Sequence, residues 1–153
     1  KKNKPEYIYI DSKQMQTYKD LDKKITIIAG KFKGVEGPVI KHNVEPIYFD
    51  VELKEGKEFN FELLSTHNSF IYLVEGSIKI GDQIHEPIQN SKLIILNKEK
   101  NLDVLALKNS KFLLISGKPI GEPIARGGPF VMNTEAEIQE AIQDFHNGTF
   151  AKY

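Results

Sequence analysis

From Ile25 onward the chain alternates between apolar and polar residues with a period of two. Ile47, Phe49, Val51 and Leu53 alternate with Tyr48, Asp50 and Glu52, the pattern of a strand with one buried face. Phe59, Phe61 and Leu63 repeat it. β-rich runs follow at Phe70 to Val74, Ser77 to Ile80, Gln83 to Glu86, Leu93 to Leu96, Leu102 to Leu107 and Phe112 to Ser116. The pattern predicts about nine short strands. Turn chemistry separates them: Gly34 to Pro38, Glu55-Gly56, Glu75-Gly76, Gly81-Asp82 and Asn109-Ser110. Gly81-Asp82 suits a two-residue hairpin, because glycine accepts positive φ at the first turn position.

The two ends read differently. The first two dozen residues are Lys-rich and interrupted by Pro5, with Tyr7-Ile8-Tyr9-Ile10 as a short extended piece. Residues 1–24 are therefore expected to be a linker or edge segment, and 25–132 a β-barrel. From Asn133 the period becomes 3.6. Thr134 and Glu137 form a capping box, Ile138, Ala141, Ile142 and Phe145 make one apolar stripe, and Gly148 closes it. Residues 133–153 are expected to be a helix and tail on an otherwise all-β chain.

Composition narrows the functional classes. One domain is expected from 153 residues, and 40% apolar content supplies a core. Lys plus Arg and Asp plus Glu cancel at 21 each, so no broad field steers a polyanion. Arg126 is the only arginine, leaving few planar forks for phosphate or guanine. No nucleic acid partner is expected. No apolar run approaches the ~20 residues of a membrane-spanning helix, so no membrane partner is expected either. Cysteine is absent, which excludes disulfides, thiolate metal sites and a cysteine nucleophile. A reducing, cytoplasmic location fits. Starting at Lys1 with no apolar signal core, the chain is read as a fragment.

The candidate chemistry rests on four histidines, His42, His67, His85 and His146, none of them paired as His-x-His. His146 falls in the last helical turn, where a cation complements the dipole. His42 and His85 sit among turns and are expected to be solvated. His67 alone leads into an organised stretch, His67-Asn68-Ser69 followed by Phe70 to Gly76. No phosphate-cradling loop occurs, since Gly127-Gly128 precedes Pro129, and no Gly-x-Ser-x-Gly is present.

A strand ending in an apolar-Glu-Gly turn, here Val74-Glu75-Gly76 before a hairpin, resembles the first motif of the cupin superfamily. Gly121-Glu122-Pro123-Ile124 and Arg126 to Thr134 resemble the closing signature of the pirin family, whose members carry two cupin barrels. The resemblance is to the second barrel and its helix and covers nearly the whole chain. It implies an all-β cupin double-stranded β-helix, a jelly-roll barrel, with one C-terminal helix. It also implies that the family's metal, usually iron, is held by three histidines and a glutamate of the first barrel, which is missing here.

Laid on the cupin motif without gaps, the Glu75-Gly76 turn places the ligand positions on Glu62, Leu64 and Asn68. With a gap, His67 and Ser69 take the two histidine places. The later histidine should fall between Ile94 and Leu107, where none exists. No metal and no catalytic residue are therefore expected in this chain, iron or another divalent metal belonging only to the missing N-terminal barrel. A degenerate pocket is expected near Glu62, His67, Asn68 and Tyr72. Arg126, Gly128, Pro129, Phe130, Met132 and Asn133 form an expected structural or interface signature. Arg126 would bind either a carboxylate of the other barrel or local carbonyls.

The leading expectation is a metal-free domain that supports a metal-bearing N-terminal cupin, in the same chain or a separate one, and that self-associates when alone. The alternative is part of a quercetin 2,3-dioxygenase-like oxygenase whose catalytic barrel lies elsewhere. The resemblance also allows an iron-dependent transcriptional coregulator.

Overall fold

A computed structural model of the chain describes residues 6–40, 43–81, 86–89 and 91–150. Contacts divide it into two compact units, residues 10–119 and a smaller unit of residues 120–153 with the N-terminal residues up to Tyr9. The expected boundary at residue 132 lies inside the smaller unit. Residues 10–24 belong to the larger one, because a strand there pairs with the sheet.

In the larger unit, β1 (Gln16–Lys19), β2 (Lys23–Ala29), the short hairpin of β3 (Lys31–Phe32) and β4 (Val35–Glu36), and β5 (Ile47–Leu53) come first. Then follow β6 (Glu58–Glu62), β7 (Asn68–Glu75), β8 (Ser77–Ile80), β9 (Ile88–Gln89), β10 (Lys92–Ile95), β11 (Asn101–Ala106) and β12 (Ser110–Gly117). A six-stranded sheet runs β1-β2-β5-β12-β7-β10 and a four-stranded sheet runs β6-β11-β8-β9. Every ladder within them is antiparallel. Non-consecutive neighbours such as β5-β12 and β12-β7 give the crossed topology of a jelly roll.

Alternation explains the core. The inward residues of β2, β5, β12 and β7 are Ile25 and Ile27, Phe49 and Val51, Phe112 and Leu114, and Ile71 and Leu73, all fully buried. They face Phe59, Ile78, Leu102 and Val104 of the smaller sheet in one hydrophobic cluster. Aromatic rings join the sheets. Phe32 stacks on Phe59 at 5.7 Å and meets Phe49 edge-on at 5.9 Å, and Phe112 meets Phe59 edge-on at 5.5 Å. Pairs of this geometry add to the area they bury.

The Glu75-Gly76 turn has a steric cause. Gly76 sits at φ +94°, and a Cβ there would collide with the Ser110 side chain and the Asn109 carbonyl. Ser110 Oγ accepts from the Ser77 N–H at 3.1 Å, tying β12 to the turn. At the β1–β2 turn, Asp20 accepts from the N–H groups of Asp22 and Lys23 at 2.8 and 2.9 Å. These bonds, first that from Asp22, hold its carboxyl below the usual carboxylate range.

Several expectations shift. Tyr7 to Ile10 lie in no strand, and the first strand is Gln16–Lys19. Asp82 of the expected Gly81-Asp82 hairpin, most of the Gln83 to Glu86 strand, His42 and His85 lie outside the described residues. In the smaller unit, β13 (Ala125–Gly127) and β14 (Phe130–Met132) form an unexpected hairpin. The helix matches its sequence signals: α1 spans Glu135–Asn147, with a Thr134–Glu137 capping box and Gly148 as a left-handed C-cap.

Truncating Phe59→Ala should cost about 3–5 kcal/mol, whereas Leu93→Ala on the exposed face should stay within about 0.5 kcal/mol. Guanidinium unfolding midpoints of the two variants would check the assignment of faces. Because the Asp20 carboxyl is held low in the fold, its contribution is present above the unfolded value of about 3.9 and fades as pH falls through the folded one. Asp20→Asn should therefore flatten the acid side of the stability–pH curve.

Candidate functional site

His67 closes the connection between β6 and β7, its N–H bonding to the Leu64 carbonyl at 2.9 Å. Its side chain is 2% exposed. Ser69 and Ser116 are register partners across β7 and β12, and both side chains point inward beyond the apolar residues Ile71 and Leu114. The three polar groups meet. His67 Nδ1 lies 3.2 Å from Ser116 Oγ, which lies 2.8 Å from Ser69 Oγ. His67 Nε2 is buried without a protein partner.

This arrangement can share protons along a short chain of hydrogen bonds. Among the described residues it lacks the third member of a nucleophilic triad, because no carboxylate there bonds to the imidazole, and both hydroxyls are buried. It also lacks a metal-ligand set. Among the described residues, no three of His, Cys, Asp and Glu come together as a metal site. His67 offers one free nitrogen, where a transition metal requires three or four suitable donors. These residues do not fit an iron centre.

The expected pocket therefore comes apart. β7 begins at Asn68, so alternation sends Ser69, Ile71 and Leu73 inward and Asn68 and Tyr72 outward. Glu62 is exposed at the end of β6, where Lys100 Nζ lies 3.0 Å from its Oε1. Of Glu62, His67, Asn68 and Tyr72, only His67 faces the interior. Ser116 is the residue that sequence reasoning missed. Its signal was a serine at the inward position of the alternating run Phe112-x-Leu114-x-Ser116.

In the smaller unit, Phe130 is a core residue. It clusters with Ala125, Ile138 and Ala141, and its ring meets those of Phe145 at 5.9 Å and Phe150 at 5.1 Å. Met132 packs at the edge of this cluster. Gly128, at φ +54°, and Pro129 make the β13–β14 turn, and Asn133 N–H donates to Glu137 Oε2 at 2.9 Å. Arg126 is exposed on β13 opposite Val131. Phe145, on the expected apolar stripe of the helix, is 61% exposed.

The outer face of the six-stranded sheet holds a second feature. Register places Leu93, Tyr72 and Leu113 in one outward row and Ile95, Phe70, Ile115 and Tyr48 in the next. Leu93 is 59% and Ile95 73% exposed. Towards β2 the same face becomes charged, with Lys111–Asp50 at 3.2 Å and Lys24–Glu52 at 2.9 Å.

Two antiparallel sheets in jelly-roll order around one apolar interior, followed by a capped helix, define a β-barrel of the cupin kind. Residues 48–151 match the Pirin C-terminal cupin domain. The chain belongs to the pirin family and corresponds to its C-terminal cupin domain. It is 36% identical over 126 residues to a pirin-like protein of Solanum lycopersicum, covering 81% of this chain and 43% of that protein. Human pirin is 31% identical over 146 residues, covering 94% and 50%. A crystal structure of quercetin 2,3-dioxygenase from Acinetobacter baumannii superposes with TM-score 0.77 at 29% identity, covering 92% of this chain and 49% of that one. The chain spans about half the length of the curated relatives it matches.

Ser116→Ala should cost about 1–3 kcal/mol, because it strands His67 Nδ1 and Ser69 Oγ together. Ser69→Ala should cost less, leaving the His67–Ser116 bond intact. In a denaturant-unfolding double-mutant cycle the two losses should fall short of additivity; strict additivity would show that the chain of bonds is not coupled.

Proposed function

We propose that this domain is a metal-free cupin whose role is structural and interactive: it supports and covers a companion N-terminal cupin domain that carries the family's metal chemistry. The observation that carries the reading is the filled interior. Phe49, Phe59 and Phe112 are fully buried where the two sheets meet, and the one buried imidazole among the described residues is engaged by Ser116. A catalytic metal needs an open coordination position as well as its ligands. Pirin-family membership supplies the companion, since a C-terminal domain half the length of its relatives implies an N-terminal one.

The similarity to the Acinetobacter quercetin 2,3-dioxygenase supports a second reading, in which the parent protein is a related oxygenase. Both readings place the reacting centre outside these residues. They differ in what the complete protein does with a flavonol.

Elemental mass spectrometry on the purified chain, dialysed without chelator, should find iron, manganese, nickel, copper and zinc all far below one per chain. Near-stoichiometric metal that disappears in His67→Ala would overturn the proposal and make this barrel a catalytic candidate. Oxygen uptake with quercetin by the complete protein would favour the oxygenase reading, and a metal-loaded but inert protein would count against it.

A further inference from the structure

We propose that Asn147-Gly148, at the C-terminus of α1, is a self-modifying site: when the last helical turn opens, the Gly148 backbone nitrogen converts Asn147 to aspartate or isoaspartate, and the product keeps that turn from closing again. This is the only Asn-Gly pair in the chain. Glycine matters at the second position because it has no β-carbon to shield its nitrogen from the preceding side chain. Asn147 is exposed, and Gly148 caps the helix in the left-handed region at φ +66°.

The reaction needs nothing beyond the chain itself and water. The Gly148 nitrogen attacks Asn147 Cγ, a C–N bond forms, the Cγ–Nδ2 bond breaks, and ammonia leaves with the proton of the Gly148 amide. Water then opens the resulting cyclic imide at one of its two carbonyls. Opening at Cγ gives aspartate. Opening at the backbone carbonyl gives isoaspartate, whose main chain runs through the former side chain and is lengthened by a methylene. No atom is oxidised or reduced.

The fold holds the pair back from this reaction. Asn147 has helical backbone, which turns the Gly148 nitrogen away from the path to Cγ. The Gly148 N–H, whose proton must be lost, donates to the Asp144 and Phe145 carbonyls. The Asp144 carbonyl also accepts from the N–H groups of Thr149 at 2.8 Å and Phe150 at 3.1 Å, and the Thr149 hydroxyl donates to Asp144 Oδ1 at 3.0 Å. The Phe150 ring meets Phe130 at 5.1 Å. These contacts tie residues 148–150 over the last turn, and the reaction waits for them to break. Chain ends of this kind open at far lower cost than a core. After reaction, either product places a negative charge at the helix C-terminus, against the dipole and one turn from Asp144. The extra methylene of isoaspartate also carries the three N–H groups out of line with the Asp144 carbonyl.

The test follows the whole chain at physiological temperature and mildly alkaline pH, by peptide mapping with mass detection of the exchange of NH for O, beside an end-capped peptide of residues 143–150. Asn147 should be the first asparagine converted, several-fold more slowly in the chain than in the peptide. Phe150→Ala should bring the chain's rate towards that of a peptide carrying the same change, and Asn147→Gln should stop the reaction with helix content unchanged by circular dichroism. Amide hydrogen exchange across residues 145–150 should quicken several-fold in the purified isoaspartate form. Equal rates in chain and peptide, or a Phe150→Ala chain no faster than the parent, would overturn control by the helix end. Conversion at an Asn-Ser pair before Asn147 would overturn the site, and unchanged hydrogen exchange in the modified chain would overturn its effect on the last turn.

Discussion

Phenylalanine rings meeting between two sheets set the terms for everything else in the larger unit. Phe59 stands at the centre, stacked on Phe32 and met edge-on by Phe112, while Phe49 lies edge-on to both Phe32 and Phe61. A small barrel can enclose a ligand or be filled by its own side chains, and interiors filled at crystal-like density do neither by halves. Filling this one with rings fixes the separation of the sheets and the register of β12 between β5 and β7. Among the described residues it leaves the buried polar side chains at its margins, Ser69, Ser116 and His67 in one group and Ser77 with Ser110 at the Glu75-Gly76 turn.

The first of these shows how a polar group is tolerated in such an interior. An unbonded hydroxyl buried there is costly, and the two serines satisfy each other across adjacent strands before either meets the imidazole. The histidine then completes a structural network. Its position before β7 is where a cupin ligand would be sought, yet the neighbours that would make it one are a serine and an outward-facing asparagine.

Much of the fold was legible because strand side chains repeat every two residues, so Phe49, Val51, Leu114 and Leu73 announce their face without any knowledge of partners. The helix was legible from Thr134, Glu137 and Gly148, whose roles are local. The candidate pocket was not, since grouping His67 with Asn68 and Tyr72 required knowing that β7 begins at Asn68, and one residue of offset reverses every side chain. The hairpins of two- and three-residue strands, Lys31–Phe32 with Val35–Glu36 and Ala125–Gly127 with Phe130–Met132, are too short for any period to show. Leu93 to Leu96 read as apolar throughout; only the ladder with β7 reveals that Leu93 and Ile95 share its outer side.

The smaller unit carries a dynamic consequence. Its own buried cluster is four residues, Ala125, Phe130, Ile138 and Ala141, and the helix closes so tightly on its hairpin that a Cβ at Gly127 would strike Ile138. A 13-residue helix is marginal by itself, even capped at both ends, and so depends on that contact. With four buried apolar residues in its own cluster, the helix and hairpin have little internal apolar area to lose on opening, the property that marks the low-stability end of a protein's ladder of partial unfolding.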